Sequence, residues 1–188
     1  MANQLKKISD FKAHLAGGGA RANQFMVEML WPGALGTLTG ETTAAEFLIQ
    51  ATNLPGMTIG EVAVPFRGRN LYLAGDRTFE AWTMTVLNDI DFTLRNAFEK
   101  WMNHINSMSD GSGEDNPLSY QSQCSVSQLD KAGDVVKTYN FKGMWPTTMS
   151  NIDVSAETND ALETFEVTLR YDWWEAGPST DDAMSTTT

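Results

Sequence analysis

Between Ala51 and Asp89 the chain reads ATNLPGMTIGEVAVPFRGRNLYLAGDRTFEAWTMTVLND, a succession of strand-length runs broken at short intervals by glycine turns. In Ile59 to Phe66, Gly60, Val62, Val64 and Phe66 fall on one face while Glu61, Ala63 and Pro65 take the other, the two-residue period of a half-buried strand. Leu54-Pro55-Gly56 is a turn signal, with proline presetting its own φ and glycine free to take a positive one. A second turn is expected at Gly75-Asp76. The strand Thr78 to Leu87 follows, with Trp82, Met84 and Val86 in one phase and Phe79 in the other, which a bulge near Glu80 or Ala81 would reconcile. The block specifies architecture and carries no catalytic apparatus.

The rest of the chain extends this pattern. Leu5, Ile8, Phe11 and Leu15 predict a short amphipathic helix stopped by Gly17, Gly18 and Gly19, part of an N-terminal arm over residues 1–20. Asn23 to Trp31 alternates as a strand with apolar residues in both phases, so cover is expected on both faces. Residues 32–43, rich in glycine and threonine, read as a hairpin loop or excursion, and 46–52 as a resumed extended run. Asn88 to Asp91 supply capping side chains for a helix whose buried face is Leu94, Ala97, Phe98, Trp101, Ile105 and Met108. After a Ser/Gly/Asp linker at 107–116, Leu118–Leu129 and Val135–Lys142 predict a hairpin turning at 130–134, and Thr164–Trp173 a last strand. The tail from 176 to 188 has no periodic apolar face and is expected to be flexible. With 188 residues the chain accommodates one well-buried domain, placed at 21–175. Many strands and one principal helix predict a β-sandwich or small barrel. An α/β fold would need more crossover helices.

Charge and chemistry narrow the function. Thirteen Lys plus Arg against 24 Asp plus Glu give a formal charge of −11, which repels a phosphate backbone and disfavours DNA binding. After residue 143 the acids Asp153, Glu157, Asp160, Glu163, Glu166, Asp172, Glu175, Asp181 and Asp182 face only Arg170. That imbalance is either a solvated surface or a functional one. Cys124, the single cysteine, excludes an internal disulfide and fits a reducing compartment. His14 and His104 have no companion at metal-ligand spacing, and Gly17 to Gly19 lack the Lys-Ser/Thr ending of a phosphate loop. No acid–base pair accompanies a nucleophile, so neither an enzyme nor a cofactor is expected. The N-terminal lysines precede no apolar run, so the chain is expected to be made as a soluble cytoplasmic product without membrane insertion.

Some side chains fit subunit contact as well as local structure. Arg67 and Arg69 in Phe66-Arg67-Gly68-Arg69 can meet carboxylates on a loop or a neighbouring subunit. Asp76-Arg77 can form an ion pair at a turn or a contact between subunits. Trp173-Trp174 send two rings to opposite faces, so Trp174 packs either against a partner or under its own helix or loop.

The phrases LPGMTIGE, VPFRGR and LAGDRTFEAWTMTVLND resemble the tail tube proteins of contractile-tailed bacteriophages. So do RANQFMVE at 21–28, FEKW at 98–101, KGMWPT at 142–147, NID at 151–153, TFEVTL at 164–169 and YDWWE at 171–175, in order along the chain. The resemblance implies a β-sandwich subunit forming hexameric rings that stack helically into a hollow tube inside a contractile sheath. The implied partners are the sheath, the tape measure protein, the baseplate hub and the tail terminator. It also implies a location in the virion tail after assembly in the host bacterial cytoplasm. DNA would pass through the bore without specific binding, and Glu61, Glu80, Glu166 and Asp172 are the strand-borne acids expected to line it and repel phosphate. A related ring-forming part, such as a terminator or baseplate-hub adaptor, or the tube of an injection or secretion system, is the alternative.

Overall fold

The computed structural model describes residues 7–15, 19–157 and 159–177. Leu5, Gly17 and Gly18, and the tail beyond Gly177, lie outside them. In chain order the elements are α1 (Ile8–His14), β1 (Phe25–Met29), a short 3₁₀ turn (Gly33–Leu35), α2 (Thr39–Leu48), β2 (Ile49–Thr52), β3 (Thr58–Phe66), β4 (Arg69–Thr78) and β5 (Trp82–Leu87). There follow α3 (Thr93–Ile105), α4 (Pro117–Tyr120), β6 (Ser122–Leu129), β7 (Val135–Met149), β8 (Thr164–Arg170) and β9 (Trp173–Ala176).

All strand pairs are antiparallel, and β7 organises them. Its first half pairs β6 and β9, building a sheet of order β1-β6-β7-β9, here sheet A. Its second half pairs β8, building β7-β8-β5-β2, here sheet B. The strand changes sheets at Gly143, whose φ of +65° suits glycine alone, as strands do when they turn a sandwich corner. The corner is held from outside: Asp172 N–H donates to the Lys142 carbonyl at 2.9 Å, and the Asp172 carboxylate lies over Gly143 where a Cβ would stand. Gly143→Ala therefore combines a left-handed backbone with a displaced carboxylate. The expected loss is about 1–3 kcal/mol, read from the urea midpoint.

The inner faces of both sheets form one core. Val27, Met29, Cys124, Val126 and Phe141 from sheet A meet Trp82, Met84, Val86, Phe165, Val167 and Leu169 from sheet B. Trp82 and Phe141 join them with ring centroids 4.8 Å apart, and the Trp82 indole N–H donates to the Asn53 carbonyl at 2.7 Å. The strand path ends at β1 and β2, so the sandwich is not closed into a barrel. Helix α2 packs against β1 and α3 and runs directly into β2. Helix α3 buries Leu94, Ala97, Phe98 and Trp101, with Trp31 set edge-on to both aromatic rings. Its first turn is capped by Asp89, whose carboxylate accepts from the Thr93 N–H at 2.8 Å.

Several expectations change. Residues 32–43 are not a loop, and 46–48 are not extended: they hold the 3₁₀ turn and α2, whose buried Ala45 lets the helix sit close to the sandwich. β1 is covered on one face only, since Val27 and Met29 are buried while Glu28 and Leu30 are exposed. Met108 lies past the end of α3 and is exposed, because the helix stops at Ile105. The segment 118–120 is helical, with Pro117 at the start of α4 and Asn116 capping it. The strand predicted at 164–173 divides at Tyr171-Asp172 into β8 and β9, which join different sheets.

Candidate assembly surface

β3 and β4 stand apart from both sheets and, among the described residues, pair only with each other. Nine and ten residues long, they reach about 30 Å at the rise of an extended strand. Their turn is Arg67-Gly68, with φ of +46° and +81°, the two positive values that a two-residue type I′ hairpin requires. The expected turn at Gly75-Asp76 is not one: both residues lie within β4. Gly75 instead lies against Gly60 where the register slips, and a Cβ on it would come within 3.1 Å of the Gly60 carbonyl oxygen. The bulge expected at Glu80 or Ala81 is a break between β4 and β5, anchored by Phe79 packing on Tyr171 and by its carbonyl accepting from Arg170 at 3.3 Å.

Register fixes the two faces of the hairpin. Val62 faces Leu73, Val64 faces Leu71 and Phe66 faces Arg69, so five apolar side chains share one side. Glu61 with Ala74, Ala63 with Tyr72 and Pro65 with Asn70 share the other. Half-burial of β3 was the expectation, yet every one of its residues is exposed within the chain. Val62, Val64, Phe66, Leu71 and Leu73 retain 40–66% of their accessible surface. A two-stranded ribbon is marginal in water, and a contiguous apolar face on it calls for a covering surface.

The arginines expected at contacts sit on this hairpin. Arg67 is at the tip, its guanidinium 5.4 Å from the Phe66 ring centre, Arg69 opens β4, and Asp76-Arg77 lie near the base. Among the described residues the only ion pair is Arg95–Glu99 on α3, so Asp76 and Arg77 do not form the anticipated one. With Arg67, Arg69 and Arg77 against Glu61 and Asp76, the hairpin carries +1 in a chain of −11. Trp174 is half-buried, edge-on to Tyr139 at 5.3 Å and within 3.4 Å of the Gly56 carbonyl; its neighbour Trp173 is the more exposed ring.

The four acids do not share one strand face. Glu61 rides on the hairpin, Glu80 lies in the break after β4, Glu166 is exposed on β8 opposite Thr85, and Asp172 sits at the Gly143 corner. Leu71 and Leu73 were missed as assembly residues, although the alternation NLYL after Arg67-Gly68 signals the second arm of a hairpin.

The titratable groups show structural surroundings. Burial pushes the Cys124 thiol and, more weakly, the Tyr171 phenol upward, away from the charged forms that attack substrates. His104 Nε2 lies 3.2 Å from Ser119 Oγ beside an open cleft of about 440 Å³ that Lys100 and Glu114 also border.

The family model described as phage tail tube protein matches residues 20–176. Tail tube protein gp19 of Enterobacteria phage T4 is 34% identical over 169 residues, covering 87% of this chain and 96% of that protein. The tail tube protein of Serratia phage KSP90 is 28% identical over 169 residues, covering 89% and 95%. Among solved structures, the anti-feeding prophage tube terminating cap aligns with a TM-score of 0.61 at 15% identity, covering 86% of this chain and 92% of that one. The sheath-tube complex of the PVC extracellular contractile injection system in its extended state aligns at 0.55 and 14%, covering 88% and 96%. At these identities the structural likeness shows a shared fold.

Proposed function

This chain belongs to the phage tail tube protein family, the tube-forming components of contractile phage tails, and from that premise we propose that its exposed hairpin joins stacked hexameric rings. The observation that carries the reading is the apolar face of β3 and β4, displayed at the end of a fold whose core is complete without it. Covering five half-exposed side chains contributes roughly 1 kcal/mol each. Repeated by every subunit, that contact is enough to hold a stack. Within a ring, the free edges of β1, β2 and β9 offer backbone groups that neighbouring copies can pair with, which also removes edges prone to aggregation. A ring closes one heterologous contact, and stacking propagates a second that does not close.

The role is structural rather than catalytic. The tube is the conduit for DNA ejection and sits inside a contractile sheath. It runs from a baseplate hub to a tail terminator, encloses a tape measure protein before ejection, and is assembled in the host cytoplasm. An acidic bore lets DNA pass by like-charge repulsion, with Glu166 and Glu80 as candidates. Asp172 serves the Gly143 corner first, and Glu61 follows the hairpin. Electron microscopy of the purified full-length chain checks the reading: hollow tubes of indefinite length are expected. Isolated rings would point to a terminator or adaptor instead, and stable monomers would refute both.

A further inference from the structure

The two ends of sheet B differ in character. At one end lie Thr52, Trp82, Arg170 and Trp145, and the hairpin leaves and returns there. At the other lie Leu87, Met149 and Thr164, followed or preceded by segments 88–92, 150–157 and 159–163. These segments contain no lysine or arginine, and the one guanidinium that reaches them, Arg95 donating to the Ser150 carbonyl at 2.9 Å, is paired with Glu99. Asp91, Glu157 and Asp160 stand there without an ion pair among the described residues, and Asp89, Asp153 and Glu163 add to the field while serving local hydrogen bonds. The same end displays Ile90, Val154 and Leu162 at 76–97% exposure, with Phe92 also exposed. Two non-glycine residues among those described have a positive φ, Arg67 at the hairpin tip and Phe92 at this far end. Phe92 immediately precedes α3.

One end of the chain thus projects an apolar ribbon tipped with arginines, and the opposite end presents apolar side chains set among carboxylates. We propose that the acidic end of sheet B is the seat for the hairpin of a second copy in the adjoining ring. Arg67 and Arg69 meet carboxylates of Asp91, Glu157 and Asp160, while Phe66 and its apolar neighbours cover Ile90, Phe92, Val154 and Leu162. Because the complementary surfaces lie at opposite ends of one sheet, no pair of copies can satisfy both, and the contact propagates in one direction. It also gives a purpose to the arginines of a strongly acidic chain: opposite charge at the seat selects the register, and like charge elsewhere on the surface rejects misplaced hairpins.

This inference rests on the hairpin-stacking reading above, and the test separates the two. Arg67→Glu with Arg69→Glu, and separately Glu157→Lys with Asp160→Lys, are each expected to lower the yield of sedimenting tubes by at least about tenfold. All four substitutions in one chain should restore it. Independently, a chain carrying Arg67→Cys and Asp160→Cys should give a ladder of covalent oligomers with a flexible bismaleimide, while the buried Cys124 stays unmodified. If reversal at 157 and 160 leaves the tube yield unchanged, the seat is elsewhere while hairpin stacking stands. Failure of the four-fold variant to restore tubes, together with no ladder, overturns the seat as well. If reversal at 67 and 69 has no effect, the charge-matched seat falls, whereas loss of hairpin stacking itself is read from Val64→Asp with Leu71→Asp on the apolar face.

Discussion

Val64→Asp combined with Leu71→Asp is expected to yield a folded subunit that builds no tubes. The two residues are direct cross-strand partners on the apolar face, so both carboxylates would be buried without partners in any contact made by that face. An unpaired buried charge costs several kcal/mol, while the contact it replaces is worth a comparable amount, so assembly should fall by more than about a hundredfold. The fold should hardly notice. Both side chains are exposed in the isolated chain, and surface substitutions of this kind usually change stability by within about 0.5 kcal/mol. Sedimentation of the variant beside a urea titration reads the two effects separately. A parallel loss of stability and assembly would mean that the hairpin belongs to the subunit core.

Trp82→Ala should do the reverse and strongly destabilise the subunit. The ring is 1% exposed, packs on Phe141 between the sheets, and ties the Asn53 carbonyl just before the hairpin. Deleting a fully buried Trp costs about 3–5 kcal/mol, a large share of the roughly 5–15 kcal/mol that holds a typical domain folded. Trp82→Phe keeps most of the packing and forfeits the hydrogen bond, for which about 1 kcal/mol is expected. Urea midpoints of the two variants distinguish packing from the bond.

Much of the sandwich was legible because its strands alternate cleanly. Trp82, Met84 and Val86 in β5, and Phe165, Val167 and Leu169 in β8, are buried in the phase that their spacing indicates. Leu94, Ala97, Phe98 and Trp101 likewise mark the buried face of α3. Helix α2 escaped because GETTAAEFL follows a glycine-threonine stretch with weak helix propensity; packing against β1 and α3 stabilises it, and packing is not local information. The hairpin shows a different gap. Alternation marks Val62, Val64 and Phe66 as a face to be covered, but it is silent on whether the cover comes from the same chain or another copy. Gly75-Asp76 has turn chemistry, yet the glycine is needed for the approach to Gly60, and Arg67-Gly68 makes the turn. The candidate contact residues Arg67 and Arg69 could be placed only by that register, and the four acids disperse because period two assigns a face within a strand, not a direction in an assembly.

The fifteen-residue strand β7 has a mechanical consequence. Since one covalent strand belongs to both sheets and its corner is clamped at Lys142 and Gly143, the two layers cannot shear past each other without rupturing main-chain hydrogen bonds. If rings stack through the hairpin as proposed, an axial thrust received there crosses the subunit as through a strut. It emerges as whole-body rotation or translation, the response expected of a stiff link in a column under load.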